Sequence, residues 1–136
     1  MTKRIMVIDD EPDIRLYLAA AIEDAGFESV AFEGGSLLAA VDTWRPDLIV
    51  LDIMMPGRSG MSMYRSLKSS DRHRDIPVVV VSGMSSAKDF ASEGFRRLVP
   101  DESIPPPEGF LEKPVSAAAL GKVLRDVLGA REVKAS

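Results

Sequence analysis

Three short runs of consecutive apolar residues, at positions 5–8, 48–51 and 78–81, stand out along the chain. A strand covered on both faces has this pattern, because both rows of its side chains are buried. Two weaker segments, 29–32 and 109–112, complete a set of five predicted strands.

Segments with apolar residues at helical spacing lie between these strands. Their apolar positions are Ile14, Leu18, Ile22 and Ala25; Leu37, Val41 and Trp44; Met61, Tyr64 and Leu67; and Leu120, Leu124, Val127 and Leu128. Ser36 and Ser116 are predicted helix N-caps, and Gly129 is predicted to end the last helix. The alternation of strand and helix predicts an α/β fold with a parallel sheet covered on both faces.

One segment, 96–109, interrupts this pattern. It contains Pro100, Pro105, Pro106 and Pro107, so it cannot continue a helix or join a central strand. We interpret it as a long loop within one domain that spans residues 1–130, followed by a frayed polar tail, 131–136. Two interpretations stay open for the loop: a tolerated surface insertion, or a binding surface whose prolines extend as polyproline II.

Composition narrows the function classes. The chain has 136 residues, no cysteine and a net charge of −4. The absence of cysteine excludes a disulfide scaffold, thiol catalysis and zinc-thiolate sites. The negative charge argues against a broad nucleic-acid surface, and no apolar run approaches the ~20 residues of a membrane helix.

Polar residues follow the predicted strands at the points where the strands end. They are Asp9, Asp10, Asp52, Ser82 and Lys113. Because the carboxyl ends of parallel strands lie along one edge of a sheet, we expect these five side chains to converge there.

Three converging carboxylates repel one another, and one lysine does not compensate for them. A divalent cation does, and oxygen ligands favour Mg²⁺, which often bridges carboxylates to phosphate. Asp52 is then a candidate carboxylate nucleophile that forms an acyl phosphate, with Ser82 and Lys113 donating to the phosphoryl oxygens.

Four motifs, at 7–12, 46–57, 80–83 and 110–114, resemble the receiver domain of two-component response regulators. They are Val-Ile-Asp-Asp-Glu-Pro, Pro-Asp-Leu-Ile-Val-Leu-Asp-Ile-Met-Met-Pro-Gly, Val-Val-Ser-Gly and Phe-Leu-Glu-Lys-Pro, in the order of that family. The resemblance covers about residues 3–129. It implies a flavodoxin-like (βα)5 fold, a doubly wound parallel sheet with strand order 2-1-3-4-5.

The resemblance also implies a role for each site residue. Asp52 matches the phosphoacceptor, and Lys113 matches the phosphate-binding lysine, whose bond to Pro114 is expected to be cis. Ser82 and Phe110 match the switch pair. The expected Mg²⁺ ligands are Asp9, Asp10, Asp52 and the backbone carbonyl of Met54.

The function that the resemblance implies is a phosphorelay step in the cytoplasm. A sensor histidine kinase or a histidine phosphotransfer protein would donate the phosphoryl group, and the switched surface would bind a downstream protein. The chain is expected to be no enzyme beyond its own phosphorylation and dephosphorylation, and to contact neither nucleic acid nor the membrane interior.

Alternative functions use the same strand ends. A Mg²⁺-dependent aspartyl-phosphate hydrolase would carry an acid two residues after the nucleophile, where this chain has Met54. A flavin-binding protein would need a phosphate loop after the first strand, where Asp9 and Asp10 repel phosphate. A receiver that only binds would lack a required side chain, and none is missing.

Three other residues receive interpretations of their own. Met54 and Met84 are predicted to flank the phosphorylation site, and two interpretations stay open for them. They fill the pocket by packing, or they slow dephosphorylation, because neither side chain can orient the attacking water. His73 is interpreted as a solvated loop residue, and Trp44 as a packing residue.

Overall fold

The computed structural model describes residues 2–55, 58–83 and 93–135. Five strands form one parallel sheet in the order β2-β1-β3-β4-β5, which confirms the predicted strand order. The strands are β1 (Arg4–Ile8), β2 (Glu28–Ala31), β3 (Leu48–Asp52), β4 (Val78–Ser82) and β5 (Gly109–Glu112).

The described helices cover both faces of this sheet. They are α1 (Pro12–Asp24), α2 (Leu37–Trp44), α3 (Gly60–Ser69), α4 (Phe95–Leu98) and α5 (Ala117–Ala135). A short antiparallel pair, Met54–Met55 with Arg58–Ser59, lies between β3 and α3.

The core has two layers because each central strand alternates its side chains between the faces. In β1, Met6 and Ile8 pack with α2 and α3, whereas Ile5 and Val7 pack with α1 and α5. All residues of β3 and β4 are buried, as their continuous apolar runs predicted.

Two of the three predicted helix ends, the N-caps Ser36 and Ser116, are confirmed. The Oγ of Ser36 accepts the Ala39 N–H, and the Oγ of Ser116 accepts the Ala119 N–H. The prediction that Gly129 ends the last helix is wrong, because α5 continues to Ala135. A glycine lowers helix propensity by about 1 kcal/mol, but it does not by itself end a helix that packs on a sheet.

The proline-rich segment 96–109 is partly helical and is anchored to the domain. Its first residues belong to α4, and Val99 and Ile104 after them are buried. The guanidinium of Arg96 donates hydrogen bonds to the carbonyls of Val99, Asp101 and Ile104, which closes residues 99–104 into a compact turn.

Helix α3 holds the rest of this segment through two side chains. The hydroxyl of Tyr64 donates to the carbonyl of Pro105 at 2.5 Å. The Lys68 ammonium lies 2.8 Å from Glu108 and also donates to the carbonyls of Arg74 and Ile76. The loop is therefore an integral part of the domain.

Two side chains differ from their predicted environments. His73 is only 4% exposed, so the prediction of a solvated histidine is wrong. Its Nε2 lies 2.8 Å from Asp42, and its Nδ1 lies 2.6 Å from the hydroxyl of Ser70. Trp44, interpreted as a packing residue, is 47% exposed, so only part of its ring packs.

Candidate functional site

The carboxyl edge of the sheet brings together residues that are distant in sequence. Asp9 follows β1, Asp52 ends β3, and Lys113 follows β5. Asp10 joins Asp9 and Asp52, and a carboxylate oxygen of each lies within 4.8 Å of those of the other two. The predicted convergence of three acids and one lysine is present in the structure.

Lys113 is in direct contact with the acidic cluster. Its Nζ lies 2.9 Å from Oδ2 of Asp52 and 3.7 Å from Oδ2 of Asp9. Two backbone features fix this side chain: the Lys113 N–H donates to the Ser82 carbonyl at 3.0 Å, and the bond to Pro114 is cis, as expected.

The charges and burial of the cluster shift the pKa values of Lys113 and Asp9. Desolvation acts to lower the pKa of Lys113, but the hydrogen bond and charge of Asp52 and the charge of Asp9 outweigh it, so this pKa is raised. Burial, together with the charge of Asp52, raises the pKa of Asp9. Lys113 is therefore charged at neutral pH, whereas the ionised form of Asp9 is disfavoured.

The loop between β1 and α1 orients Asp9. Oδ1 accepts the Glu11 N–H at 2.9 Å, and the Arg15 guanidinium donates to the Asp9 carbonyl at 3.0 Å. Oδ2 is buried without a hydrogen-bond partner. This oxygen is a buried acceptor that a cation would satisfy.

The donor set fits a hard divalent cation. Asp9, Asp10 and Asp52 supply only oxygen atoms, and the ammonium of Lys113 balances one of their three negative charges. Asp52 is 1% exposed, but Asp10 is exposed and the Lys113 side chain is 26% exposed. These two residues mark the side of the cluster that faces solvent.

Gly60 is a site residue that the sequence analysis missed. A Cβ at this position would lie 2.4 Å from the carbonyl oxygen of Asp52 and 2.4 Å from the Cα of Ile53. Only glycine lets the start of α3 come this close to the end of β3. The missed signal was the Gly-rich stretch after Asp52, where Gly60 comes three residues after Gly57.

The predicted switch residues lie on β4 and β5, the two strands that follow β3 in the sheet. Ser82 is buried at the end of β4, and Phe110 of β5 is half-buried against the core layer of α2 and α3. Met54 lies in the short antiparallel pair after β3, where the backbone alone is described. Met84, the other methionine predicted to flank the site, lies outside the described residues.

A cavity of about 690 Å³ opens beside Lys113, between α1 and the start of α5. Ile14, Tyr17 and Val115 contribute apolar lining, and Glu11 lies at its acidic side. In the part of the chain that the structure describes, no helix is long and apolar enough to cross a bilayer.

The sequence matches the family model of the response regulator receiver domain over residues 5–125. A curated relative is the phosphate regulon transcriptional regulatory protein PhoB of Pseudomonas aeruginosa, which is 42% identical over 81 residues. That match covers 59% of this chain and 35% of PhoB. The response regulator PleD of Caulobacter vibrioides is 38% identical over 90 residues, covering 65% of this chain and 20% of PleD. The chain thus spans about a third of the PhoB relative that it matches, and less of PleD.

Solved structures agree with the fold. NtrX of Brucella abortus superposes with a TM-score of 0.78 at 32% identity, covering 98% of this chain and 29% of that one. The chemotaxis response regulator CheY4 of Vibrio cholerae superposes with a TM-score of 0.75 at 23% identity, covering 93% and 99% of the two chains. The family match extends over most of the sequence, and the strand order and acidic edge agree with it. This chain belongs to the response regulator receiver domain family of two-component signalling.

Proposed function

We propose that this receiver domain accepts a phosphoryl group on Asp52 from the phosphohistidine of a sensor histidine kinase or histidine phosphotransfer protein. The observation that carries the proposal is the contact of 2.9 Å between Lys113 Nζ and Asp52 Oδ2 within a cluster of three carboxylates. An acidic cluster that also holds an ammonium against one carboxylate is suited to an incoming anion, whose oxygens the ammonium would bind.

The transfer is a displacement at phosphorus. A carboxylate oxygen of Asp52 attacks the phosphorus atom of a phosphohistidine whose other ring nitrogen is protonated. The bond from phosphorus to the histidine nitrogen breaks, which leaves an acyl phosphate and a neutral imidazole that keeps this proton. Lys113 donates to the transferring oxygens, and its raised pKa keeps it charged throughout. The exposed side of the cluster, at Asp10 and Lys113, is where the donor would enter.

Mg²⁺ is the proposed cofactor, and its ligands would be the carboxylates of Asp9, Asp10 and Asp52 and the backbone carbonyl of Met54. When bound, the ion would offset the negative charge of the cluster and orient the phosphoryl group. The Oδ2 of Asp9 is buried and accepts no hydrogen bond, and its contact with Lys113 is a longer one of 3.7 Å, which supports this assignment.

Phosphorylation of Asp52 is proposed to change the surface of the domain around Ser82 and Phe110. The hydroxyl of Ser82 would donate to the new phosphoryl group, and Phe110 would respond by moving further into the core layer that it already contacts. A downstream protein would recognise the altered face. Direct contact with nucleic acid is not part of the proposal for this domain, and the cytoplasmic location stays a prediction.

Phosphorylation by a small acyl phosphate, followed by intact mass, tests this proposal. We expect one added phosphoryl group on the wild type with Mg²⁺, none on Asp52→Asn, and a greatly reduced rate without Mg²⁺ or in Lys113→Ala. The matched control is Lys122→Ala, which removes an exposed lysine of α5 that is paired with Asp126 instead of with the cluster and should react like the wild type. Equal phosphorylation of wild type and Asp52→Asn would refute the proposal.

A further inference from the structure

Arg15 is the fourth residue of α1, the helix that follows the acidic pair Asp9 and Asp10. Its side chain is partly buried and turns back toward the end of β1, where the guanidinium donates to the Asp9 carbonyl at 3.0 Å. This hydrogen bond therefore spans the loop that carries two of the proposed Mg²⁺ ligands. The proposed phosphoryl transfer gives Arg15 no role.

The two peptide groups that flank Asp10 are both held by hydrogen bonds. The Asp9 carbonyl, which Arg15 binds, belongs to the peptide group between Asp9 and Asp10. The Glu11 N–H belongs to the next peptide group and donates to Oδ1 of Asp9 at 2.9 Å. Because each peptide group is planar, holding both of them fixes the two backbone dihedral angles of Asp10. These angles set the direction in which the Asp10 carboxylate leaves the backbone.

The start of α1 gives this loop little further support. Glu11, the residue before the helix, makes no capping hydrogen bond with its side chain, and Pro12 has no N–H to donate. Asp10 is exposed, so packing in the core does not hold its side chain. Of the two hydrogen bonds that hold the loop, only the one from Arg15 comes from a residue that is not itself a proposed ligand.

We propose that Arg15 is a positioning residue for the Mg²⁺ site. Its hydrogen bond holds the backbone so that the carboxylates of Asp9 and Asp10 stay together with that of Asp52. Arg15 acts through the Asp9 carbonyl and is not a ligand, since a guanidinium has no acceptor atom. The inference rests on the proposed function, in which Mg²⁺ is the cofactor.

Positioning and charge predict effects of opposite sign on Mg²⁺ affinity. Arg15→Met removes a positive charge from the neighbourhood of three carboxylates, so charge alone predicts tighter binding of the cation. Loss of the hydrogen bond frees the Asp9–Asp10 peptide group, which must then be ordered when the ion binds. This ordering costs free energy and predicts weaker binding.

Binding of Mg²⁺ alone to the full chain, followed by amide chemical shifts without a phosphodonor, is the first test. We expect the dissociation constant of Arg15→Met to rise about fivefold or more, and the amide shift of Asp10 to change already in the metal-free protein. Arg15→Lys keeps a charged donor on a long side chain and should bind Mg²⁺ more tightly than Arg15→Met. The control Lys122→Met removes the same charge from an exposed pair with Asp126 and should bind like the wild type.

Phosphorylation by a small acyl phosphate at varied Mg²⁺ concentration gives a second readout. The concentration that supports half of the maximal rate should rise in Arg15→Met by the same factor as the dissociation constant. The rate at saturating Mg²⁺ should stay within about twofold of the wild type, because Arg15 acts on the loop and not on the transferring group.

Several results would overturn the role of Arg15. They are an unchanged or lower dissociation constant in Arg15→Met, an equal loss of affinity in Lys122→Met, and an affinity of Arg15→Lys no better than that of Arg15→Met. A lower melting temperature of metal-free Arg15→Met with unchanged Mg²⁺ affinity would show a purely structural role and would also overturn it. Absence of Mg²⁺ binding by the wild type would instead refute the cofactor of the proposed function, and this inference with it.

Discussion

Removal of Glu108 should destabilise the domain far more than removal of an exposed ion-pair partner. The side chain of Lys68 is 0% exposed, so Glu108→Ala leaves a buried ammonium with the carbonyls of Arg74 and Ile76 and the Tyr64 ring, 5.8 Å away, but without the carboxylate of Glu108. The Val78 N–H, which Glu108 accepts at 2.6 Å, loses its acceptor as well. Breaking a buried ion pair from one side costs about 3–5 kcal/mol in the free energy of unfolding, and we expect a loss in that range.

Removal of Lys68, the other partner of the ion pair, should lower the free energy of unfolding by less. Lys68→Met keeps the aliphatic stem in place, and the remaining carboxylate of Glu108 is 34% exposed and still accepts the Val78 N–H. Water can solvate this carboxylate, so we expect a loss of about 1–3 kcal/mol, the cost of unsatisfied polar groups. The two deletions are therefore asymmetric, although they break the same pair.

The control pair is Lys122 with Asp126 on α5, at 2.7 Å but 75% and 63% exposed. Asp126→Ala should change the free energy of unfolding by only about 0.3–0.5 kcal/mol. Urea unfolding followed by Trp44 fluorescence and circular dichroism measures all three variants. If Glu108→Ala cost no more than Asp126→Ala, the anchoring of the proline-rich segment by Lys68 would be refuted.

Three further predictions follow from the site and from the buried histidine. Gly60→Ala should lower the phosphorylation rate at least tenfold while the domain stays folded. Its Cβ would lie 2.4 Å from the Asp52 carbonyl oxygen and so would displace that carbonyl. An unchanged rate in the acyl phosphate assay would contradict this prediction. Asp9→Asn should raise the melting temperature of the metal-free protein and reduce the stabilisation by Mg²⁺, since burial and a neighbouring carboxylate raise the pKa of Asp9. Calorimetry with and without Mg²⁺ checks this, and a lower melting temperature of the metal-free variant would count against it. The hydrogen bond from His73, with the charge of a nearby arginine, lowers the pKa of Asp42, so the ionised carboxylate stabilises the fold above about pH 4 and this contribution is lost as the pH falls further. The difference in melting temperature between wild type and Asp42→Asn should therefore shrink below pH 4, and a constant difference would exclude this linkage.

The sheet and the acidic edge could be predicted because they depend on local patterns. Continuous apolar runs at β3 and β4 indicate strands buried on both faces, and polar residues at their ends must then share one edge. Asp52 and Lys113 are 61 residues apart, yet the parallel topology alone brings them together.

The buried polar contacts could not be predicted in the same way. Lys68 pairs with a residue 40 positions away, and His73 pairs with one 31 positions away. The sequence around Lys68 and His73 does not distinguish them from solvent-exposed residues. Their burial depends on distant partners, Glu108 at the end of the proline-rich segment and Asp42 of α2. The close approach at Gly60 is likewise a property of how α3 packs on the end of β3.

The central claim, that Asp52 is the phosphoacceptor, is tested most directly by locating the phosphoryl group. Treatment of the phosphorylated protein with borohydride reduces an acyl phosphate at the modified aspartate, and trypsin then separates Asp9 and Asp10, in peptide 5–15, from Asp52, in peptide 16–58. We expect the reduced residue at position 52 alone, and only in protein that was incubated with Mg²⁺ and the phosphodonor. A reduced residue at position 9 or 10, or none at position 52, would contradict the account.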